Sequence, residues 1–117
     1  MERLRRACVN SWDGLAFAVR SEQAIRQELW ALALSLPLAW VIGITAARRV
    51  ELVATVLLVL TVELLNTAIE KLADRLTTER DPQIGRVKDL GSAAVGGALL
   101  IAALAWLFAL GERIGLF

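Results

Sequence analysis

Four polar side chains recur every three or four residues along a mostly apolar segment: Glu63, Asn66, Glu70 and Asp74. At 100° per residue of an α-helix they lie within an arc of about 80°, so they form one polar stripe. Carboxylates can accept a proton from a hydroxyl group or hold a hard divalent cation. The sequence has no His and a single Cys, Cys8, which excludes imidazole catalysis, a Cys-based zinc site and an internal disulfide. We therefore expect chemistry on Asp, Glu or Lys, and a polar clamp between helices is the alternative explanation of the stripe.

A carboxylate stripe needs a counter-charge, and Lys88 is the nearest candidate in the sequence. Lys88 and Asp89 open a long apolar segment, where the free backbone N–H groups of a helix start attract phosphate. The alternative is that both residues only flank and cap that helix. The small residues that follow, at 91–97, predict a close-packing face for another transmembrane helix. None of the glycine-rich nucleotide-binding motifs occurs, so no standard nucleotide loop is predicted.

Three apolar segments must position these residues: 29–47, 52–70 and 90–110. The first and third carry no charge, and at 1.5 Å per residue the first is about 28 Å long, close to the thickness of a bilayer's hydrocarbon core. Hydrophobic residues make up 57% of the 117 residues, above the roughly 45–50% of soluble domains. We therefore predict an all-α membrane protein, a single domain in which three helices cross the bilayer as a bundle.

Residues 1–28 predict a different kind of helix. Apolar residues recur there at helical spacing with Arg, Asp and Glu between them, which is typical of a basic amphipathic helix on the membrane surface. Together with the loop at residues 70–89, this segment carries ten of the 13 basic residues, and the opposite side carries three. Because basic residues favour the cytoplasmic side, we expect the N-terminus and the 70–89 loop in the cytoplasm. The near balance of 13 basic and 12 acidic residues gives no support for a nucleic-acid partner.

Four strings of residues, in this order, carry a resemblance to a known family. They are Ser11-Trp12-x-Gly14-Leu15, then Glu22-x-Ala24-x-Arg26-Gln27-Glu28, then Val62-Glu63-x-Leu65-Asn66-x-Ala68-Ile69-Glu70 with Asp74-Arg75, and last Gly85-Arg86-x-Lys88-Asp89-x-Gly91-Ser92-Ala93-Ala94-Val95. With these strings the whole chain resembles the small integral-membrane diacylglycerol kinases of bacteria. That family transfers the γ-phosphoryl group of Mg-ATP to the hydroxyl of diacylglycerol, which gives phosphatidic acid.

The resemblance implies a role for each matching residue. It makes Glu63 the general base for the lipid hydroxyl, Glu22 and Glu70 the ligands of Mg²⁺, and Lys88 and Asn66 further catalytic residues. The residues implied to bind ATP are Arg3, Asn10, Glu22, Glu70, Asp74, Glu79, Lys88 and Asp89. Those implied to contact the lipid substrate are Arg3, Trp12, Gln27, Glu28, Glu63 and Ser92. Two positions depart from the family pattern: Asn10 stands where an aromatic residue is usual, and Arg80-Asp81 replaces an aromatic–His pair.

The resemblance also implies surroundings and partners. The family forms homotrimers in the bacterial cytoplasmic (inner) membrane, with sites between neighbouring subunits. Two other functions stay open at this point. One is phosphorylation of undecaprenol by the same machinery, and the other is a small oligomeric transporter that uses Glu63 as a proton-coupled site.

Overall fold

The computed structural model describes every residue from Met1 to Phe117, and it is helical almost throughout. It has four helices and no strand: α1 (Glu2–Ser21), α2 (Gln23–Ile42), α3 (Ala46–Leu76) and α4 (Pro82–Arg113). Helices α2, α3 and α4 are each long and apolar enough to cross a membrane. The predicted fold class, an N-terminal amphipathic helix followed by three membrane-spanning helices, is confirmed.

The junction of α1 and α2 falls inside the segment that the sequence assigned to one surface helix. Glu22 has extended backbone angles, φ −123° and ψ 117°, and it separates the two helices. The guanidinium of Arg26 donates to the carbonyl oxygens of Val19 (2.7 Å) and Arg20 (3.2 Å). These bonds satisfy free carbonyl oxygens at the end of α1. Helix α2 therefore begins at Gln23, before the uncharged segment, and the predicted start at residue 29 is six residues too late.

The other end of α2 also differs from the edge of the uncharged segment. The uncharged segment runs to residue 47, but α2 ends at Ile42 and α3 already begins at Ala46. Gly43 closes α2, and the hydroxyl of Thr45 accepts a bond from the backbone N–H of Arg48 at 3.1 Å. The uncharged segment therefore includes the turn between α2 and α3. The lack of charge did not reveal this turn, because the side chain that caps α3 is an uncharged Thr.

Helix α3 is the centre of the bundle and packs against both α2 and α4. Its 31 residues span about 46 Å at 1.5 Å per residue, more than a hydrocarbon core of about 30 Å. Side-chain contacts with α4 occur along its whole length, from the Arg48–Glu112 ion pair at one end to the Asp74–Lys88 pair at the other. The two helices are therefore an antiparallel hairpin, and α3 extends beyond the core of a bilayer at the Asp74 end.

The exterior of the bundle is apolar. Only 15 of the 117 residues are buried, and six of them form two small apolar clusters of three residues each between the helices. Large side chains point outward along α4, for example Leu100 and Leu104, with 61% and 63% of their surface exposed. Such a surface is stable in lipid or against another apolar chain, in agreement with a membrane protein.

Candidate active site

The polar stripe of α3 lies along the half of the helix that leads to Asp74, and its burial changes along its length. Asn66 is buried, with 8% of its surface exposed, Glu63 and Glu70 are half-buried, and Asp74 is exposed. The stripe therefore passes from the interior of the bundle to its polar end. A molecule bound along the stripe would contact carboxylates at several depths in the bundle.

Three further glutamates, Glu22, Glu28 and Glu70, lie near enough to Glu63 for their like charges to act on it. We call Glu22, Glu28, Glu63 and Glu70 the carboxylate cluster. Glu28 lies on α2 and Glu22 at the α1–α2 junction, so helix packing gathers acidic groups that are far apart in sequence. The structure gives the carboxylates of Glu63 and Glu28 no hydrogen bond or ion pair within the chain. Glu63 and Glu28 therefore keep free oxygens, whereas Glu22 is paired with Lys71 and Glu70 accepts from Asn66.

Lys71 links the cluster to the N-terminal helix, although it is not among the predicted site residues. Its Nζ lies 3.1 Å from Oε1 of Glu22 and 5.2 Å from the centre of the Phe17 ring. Lys71 follows Glu70 directly, and this position is the only signal for it in the sequence. Because its partners are on α1 and at the junction, only the packed structure identifies it as a neighbour of the cluster.

Asn66 of α3 contacts both the carboxylate cluster and α4. Its Nδ2 donates to Oε1 of Glu70 at 3.1 Å. Its Oδ1 is buried and has no hydrogen-bond partner, and it is the only such side-chain atom in the chain. A buried acceptor without a partner is costly, so a site for a ligand or a constraint from packing must explain it.

Lys88 and Asp74 form an ion pair of 2.6 Å at the polar end of the α3–α4 hairpin. A small hollow of about 180 Å³ opens beside this pair, and one of its nine lining residues is hydrophobic. The lining residues are Asp74, Thr77, Thr78, Glu79, Arg80, Asp81, Ile84, Gly85 and Lys88. Asp81 itself caps α4 by accepting from the N–H groups of Gln83 and Ile84 at 2.9 and 3.3 Å. The structure thus brings three predicted nucleotide-binding residues, Asp74, Glu79 and Lys88, to one polar hollow.

An apolar groove of about 470 Å³ runs between α1 and α3, on the side of the site where Lys71 lies. Five of its nine lining residues are hydrophobic. The lining residues are Ser11, Gly14, Leu15, Phe17, Ala18, Leu64, Thr67, Ala68 and Lys71. Because Leu64 follows Glu63 directly, this groove gives an apolar molecule a path close to the cluster.

Several predicted site residues lie apart from the cluster and from any partner within the chain. On α1 they are Arg3, Asn10 and Trp12, on α2 Gln27, and on α4 Asp89 and Ser92, and all are exposed. Trp12 has 72% of its surface exposed. A single chain therefore contains the carboxylate cluster and the Lys88 hollow, but it does not enclose them with these residues.

The acidic side chains near Glu63 offer oxygen ligands, which a hard divalent cation prefers. No three acidic or Cys side chains lie close enough together to hold a metal ion by themselves. Mg²⁺ in phosphate-transferring sites is usually held by one or two carboxylates together with substrate phosphates and water. Glu22 and Glu70 supply two carboxylates near Glu63. The residues therefore fit a cation that arrives with phosphate groups, and they do not fit a cage made of protein ligands alone.

The fold and the site define a class: a small helical membrane protein with carboxylates and a lysine at the polar end of its spans. A family model described as "Prokaryotic diacylglycerol kinase" matches residues 9–110. The chain belongs to the prokaryotic diacylglycerol kinase family, as the motifs predicted. Kinases of such a family use ATP together with a divalent metal.

Curated relatives agree over nearly the whole chain. A protein named diacylglycerol kinase from Escherichia coli is 41% identical over 113 residues, which cover 97% of this chain and 93% of the relative. One of the same name from Haemophilus influenzae is 41% identical over 96 residues, with coverage of 82% and 81%. A third, from Pseudomonas aeruginosa, is 37% identical over 106 residues, with coverage of 91% and 86%. The similarity therefore includes all four helices.

Proposed function

We propose that this chain is an ATP-dependent diacylglycerol kinase, which transfers the γ-phosphoryl group of Mg-ATP to the lipid hydroxyl and produces phosphatidic acid. The observation that carries the proposal is the unpaired carboxylate of Glu63, half-buried in a cluster of like charges inside a membrane-spanning helix. A charged residue within a span is costly and usually serves a function. Membership of the family and the name shared by the relatives support the same activity.

In the proposed reaction Glu63 is the general base. Its carboxylate accepts the proton of the lipid hydroxyl as the lipid oxygen forms a bond to the γ-phosphorus of ATP. The bond between that phosphorus and the oxygen bridging to the β-phosphate breaks, and ADP leaves with the electron pair. Glu63 suits this role because no cation or hydrogen-bond donor of the chain occupies its oxygens. Phosphoryl transfer of this kind depends mainly on positioning and charge neutralisation.

We propose that the remaining polar residues hold ATP. Mg²⁺ held by Glu22 and Glu70 would neutralise phosphate charge when it is bound. Asn66 holds the Glu70 carboxylate through its Nδ2 bond, which is a positioning role. Lys88 contributes a cation to the phosphates beside the polar hollow. We assign the remaining nucleotide contacts to Arg3, Asn10, Asp74, Glu79 and Asp89.

The lipid substrate is proposed to approach through the groove between α1 and α3, because its apolar lining suits acyl chains and includes Leu64, the chain neighbour of Glu63. The further residues proposed to contact the lipid are Arg3, Trp12, Gln27, Glu28 and Ser92. A diacylglycerol has its hydroxyl at the boundary between acyl chains and water. The half-buried level of Glu63 on a stripe that leads outward to Asp74 suits that depth.

We further propose that residues 1–117 act as one kinase domain that works as a homotrimer in the bacterial cytoplasmic membrane. The exposed site residues on α1 and α4 would then line sites shared with neighbouring subunits, and the apolar exterior would bury part of its surface there. Ten of the 13 basic residues are at the end of the spans that carries the site, which supports a cytoplasmic location of this end.

A comparison of lipid substrates tests the proposed function. The purified full-length chain in mixed micelles receives radiolabelled ATP and Mg²⁺ with diacylglycerol, with undecaprenol or with neither lipid. We expect label in phosphatidic acid in the first reaction and little lipid label in the other two. Label mainly in undecaprenyl phosphate would instead assign the chain to polyprenol phosphorylation. Absence of any labelled lipid, together with proton-coupled uptake into proteoliposomes that needs no ATP, would support a transporter.

A further inference from the structure

Gly91 of α4 is buried against the side chain of Asn66. A Cβ atom built on Gly91 would overlap Oδ1 of Asn66 and lie 3.2 Å from its Cγ, and its three nearest atoms all belong to that side chain. At Gly96 and Gly97 of the same helix, a Cβ would meet nothing within 4 Å. The small-residue face of α4 is therefore used for close packing within the chain at Gly91, and the other two glycines have no such neighbour.

The hydrogen bond to Glu70 sets the orientation of the Asn66 amide, and Gly91 leaves room for it. Oδ1 is the buried atom without a partner, and it is the atom that lies against Gly91. On the other side of the amide, Nδ2 donates to Oε1 of Glu70 at 3.1 Å. Rotation of the amide by half a turn would place Oδ1 against the Glu70 carboxylate, so that two acceptors would face each other. A side chain at position 91 would displace the amide from the place in which Asn66 supports Glu70.

We infer that Gly91 is a positioning residue for the kinase reaction, because the absence of its side chain lets Asn66 hold Glu70 in place for the divalent cation. The inference rests on the proposed function, in which Glu70 binds the cation that accompanies ATP. Residues that orient metal ligands in this way typically change metal affinity or activity when they are replaced. A methyl group at position 91 meets the flexible end of a side chain and no backbone, so the helix pair stays together while Asn66 moves.

The kinetic test compares Gly91→Ala with the matched variants Gly96→Ala and Gly97→Ala, which add the same methyl group to the same helix. For Gly91→Ala we expect kcat to fall by roughly 10- to 100-fold, the usual effect of losing a partner of a metal ligand. The Mg²⁺ concentration for half-maximal activity should rise, while the KM for diacylglycerol and the helix content stay unchanged. The two matched variants should behave like the unchanged protein. Equal losses in all three variants, or none in Gly91→Ala, would overturn the inference.

A double-mutant cycle separates an effect through Asn66 from a general effect on packing. If Gly91 acts through the Asn66 amide, Asn66→Ala and Asn66→Ala/Gly91→Ala should have the same residual activity, because the group that the methyl displaces is already gone. Losses that multiply in the double variant would show that Gly91 acts by another route, and the inference would fail.

An NMR measurement tests the contact without any substrate. Asn10 and Asn66 are the only asparagines in the chain, so labelling with ¹⁵N-asparagine gives two side-chain amide signals, which Asn66→Ala assigns. Gly91→Ala should shift the Asn66 signal and leave that of Asn10, and Gly96→Ala should shift neither. An unchanged Asn66 signal would refute the contact. If the unchanged protein transfers no phosphoryl group to any lipid, the proposed function fails, while this measurement still decides whether Gly91 positions Asn66.

Discussion

The α3–α4 hairpin has polar contacts at both ends, and the two ends are built differently. At the end where α3 starts, Arg48 donates to Glu112 at 3.0 and 3.3 Å and to Glu51 at 2.6 Å. Its guanidinium also lies 5.0 Å from the centre of the Phe108 ring. We call Arg48, Glu51 and Glu112 the arginine end. Every charge there has an opposite charge beside it.

The carboxylate cluster is less completely paired. Glu22 pairs with Lys71 and Glu70 accepts from Asn66, but Glu63 and Glu28 have no partner within the chain. The one buried side-chain atom without a hydrogen bond, Oδ1 of Asn66, belongs to the residue that bonds Glu70. Evolved proteins satisfy nearly all buried polar groups, and exceptions concentrate at functional sites. The arginine end therefore stabilises the hairpin, and the free carboxylates of Glu63 and Glu28 agree with the proposal that the carboxylate cluster binds substrates. Substitutions at the arginine end should therefore change stability, and substitutions in the carboxylate cluster should change activity.

The largest effect is expected from Glu63→Gln, which keeps the shape of the side chain and removes the proposed base. Loss of general base catalysis should lower kcat by roughly 10²- to 10⁴-fold, with no loss of thermal stability. The matched variant is Glu51→Gln, which changes a glutamate on the same helix at the arginine end and should keep kcat. Initial rates in mixed micelles and thermal unfolding measure both. Full activity of Glu63→Gln would contradict its role as the base and with it the proposed difference between the ends.

A smaller effect on activity is expected from Lys88→Met. Removal of a charge-assisted hydrogen bond to phosphate costs about 1.5–3 kcal/mol, which should raise the KM for ATP roughly 10- to 100-fold. Lys88→Arg retains the charge and should lose less, and Arg86→Met, which removes an exposed cation two residues away, should lose nothing. If Arg86→Met had the same effect, general attraction between the basic surface and ATP would explain the result.

Arg48→Met tests the arginine end. It leaves half-buried Glu112 without its partner, so the thermal midpoint of unfolding in micelles should fall by several degrees while kcat and the KM for ATP stay unchanged. Arg113→Met is the matched control, because that arginine is exposed and forms no ion pair. A selective loss of kcat in Arg48→Met, with stability retained, would show that the two ends are not functionally separate.

The smallest effect is expected from Trp106→Phe, because Trp106 lies in the part of the hairpin near the arginine end and contributes two hydrogen bonds there. The Nε1–H group of Trp106 donates to the carbonyl oxygen of Leu52 at 3.2 Å and to the hydroxyl of Thr55 at 3.1 Å. Its loss should lower the free energy of unfolding by about 0.5–1.5 kcal/mol without a change in kcat. Trp30→Phe, where the indole is exposed and has no bond to lose, should leave the free energy unchanged. Denaturant unfolding of both variants measures the difference, and equal values would contradict a role for the Nε1 bonds.

Much of the fold could be predicted because hydropathy depends on composition along the chain. The long uncharged segments predicted the membrane-spanning helices, and the spacing of Glu63, Asn66 and Glu70 predicted one face of α3. The helix ends could not be predicted to the residue. The start of α2 depends on the Arg26 guanidinium bonding back to α1, and such a bond forms only after the chain turns at Glu22.

The candidate site was predictable in part, for the same reason. The stripe on α3 is local, so the sequence showed it and indicated Lys88 as its counter-charge, and the resemblance to the family added Glu22 and Glu28. The contribution of Lys71 and the contact of Asn66 with Gly91 were not foreseen, because both depend on which residues of neighbouring helices lie at the same level. The functional roles of all these residues stay predictions until the variants are measured.

An α-helical membrane protein with a row of acidic groups on one span follows from the order of residues alone, because periodicity and hydropathy are properties of single helices. Which of these groups lack a partner depends on how the helices pack. Antiparallel packing on α3 brings Glu28 to Glu63 and Gly91 to Asn66, and it pairs Arg48 with Glu112. The physical reason is that the pairing of polar groups depends on the register between helices, and register is fixed by the packing of side chains from several parts of the chain.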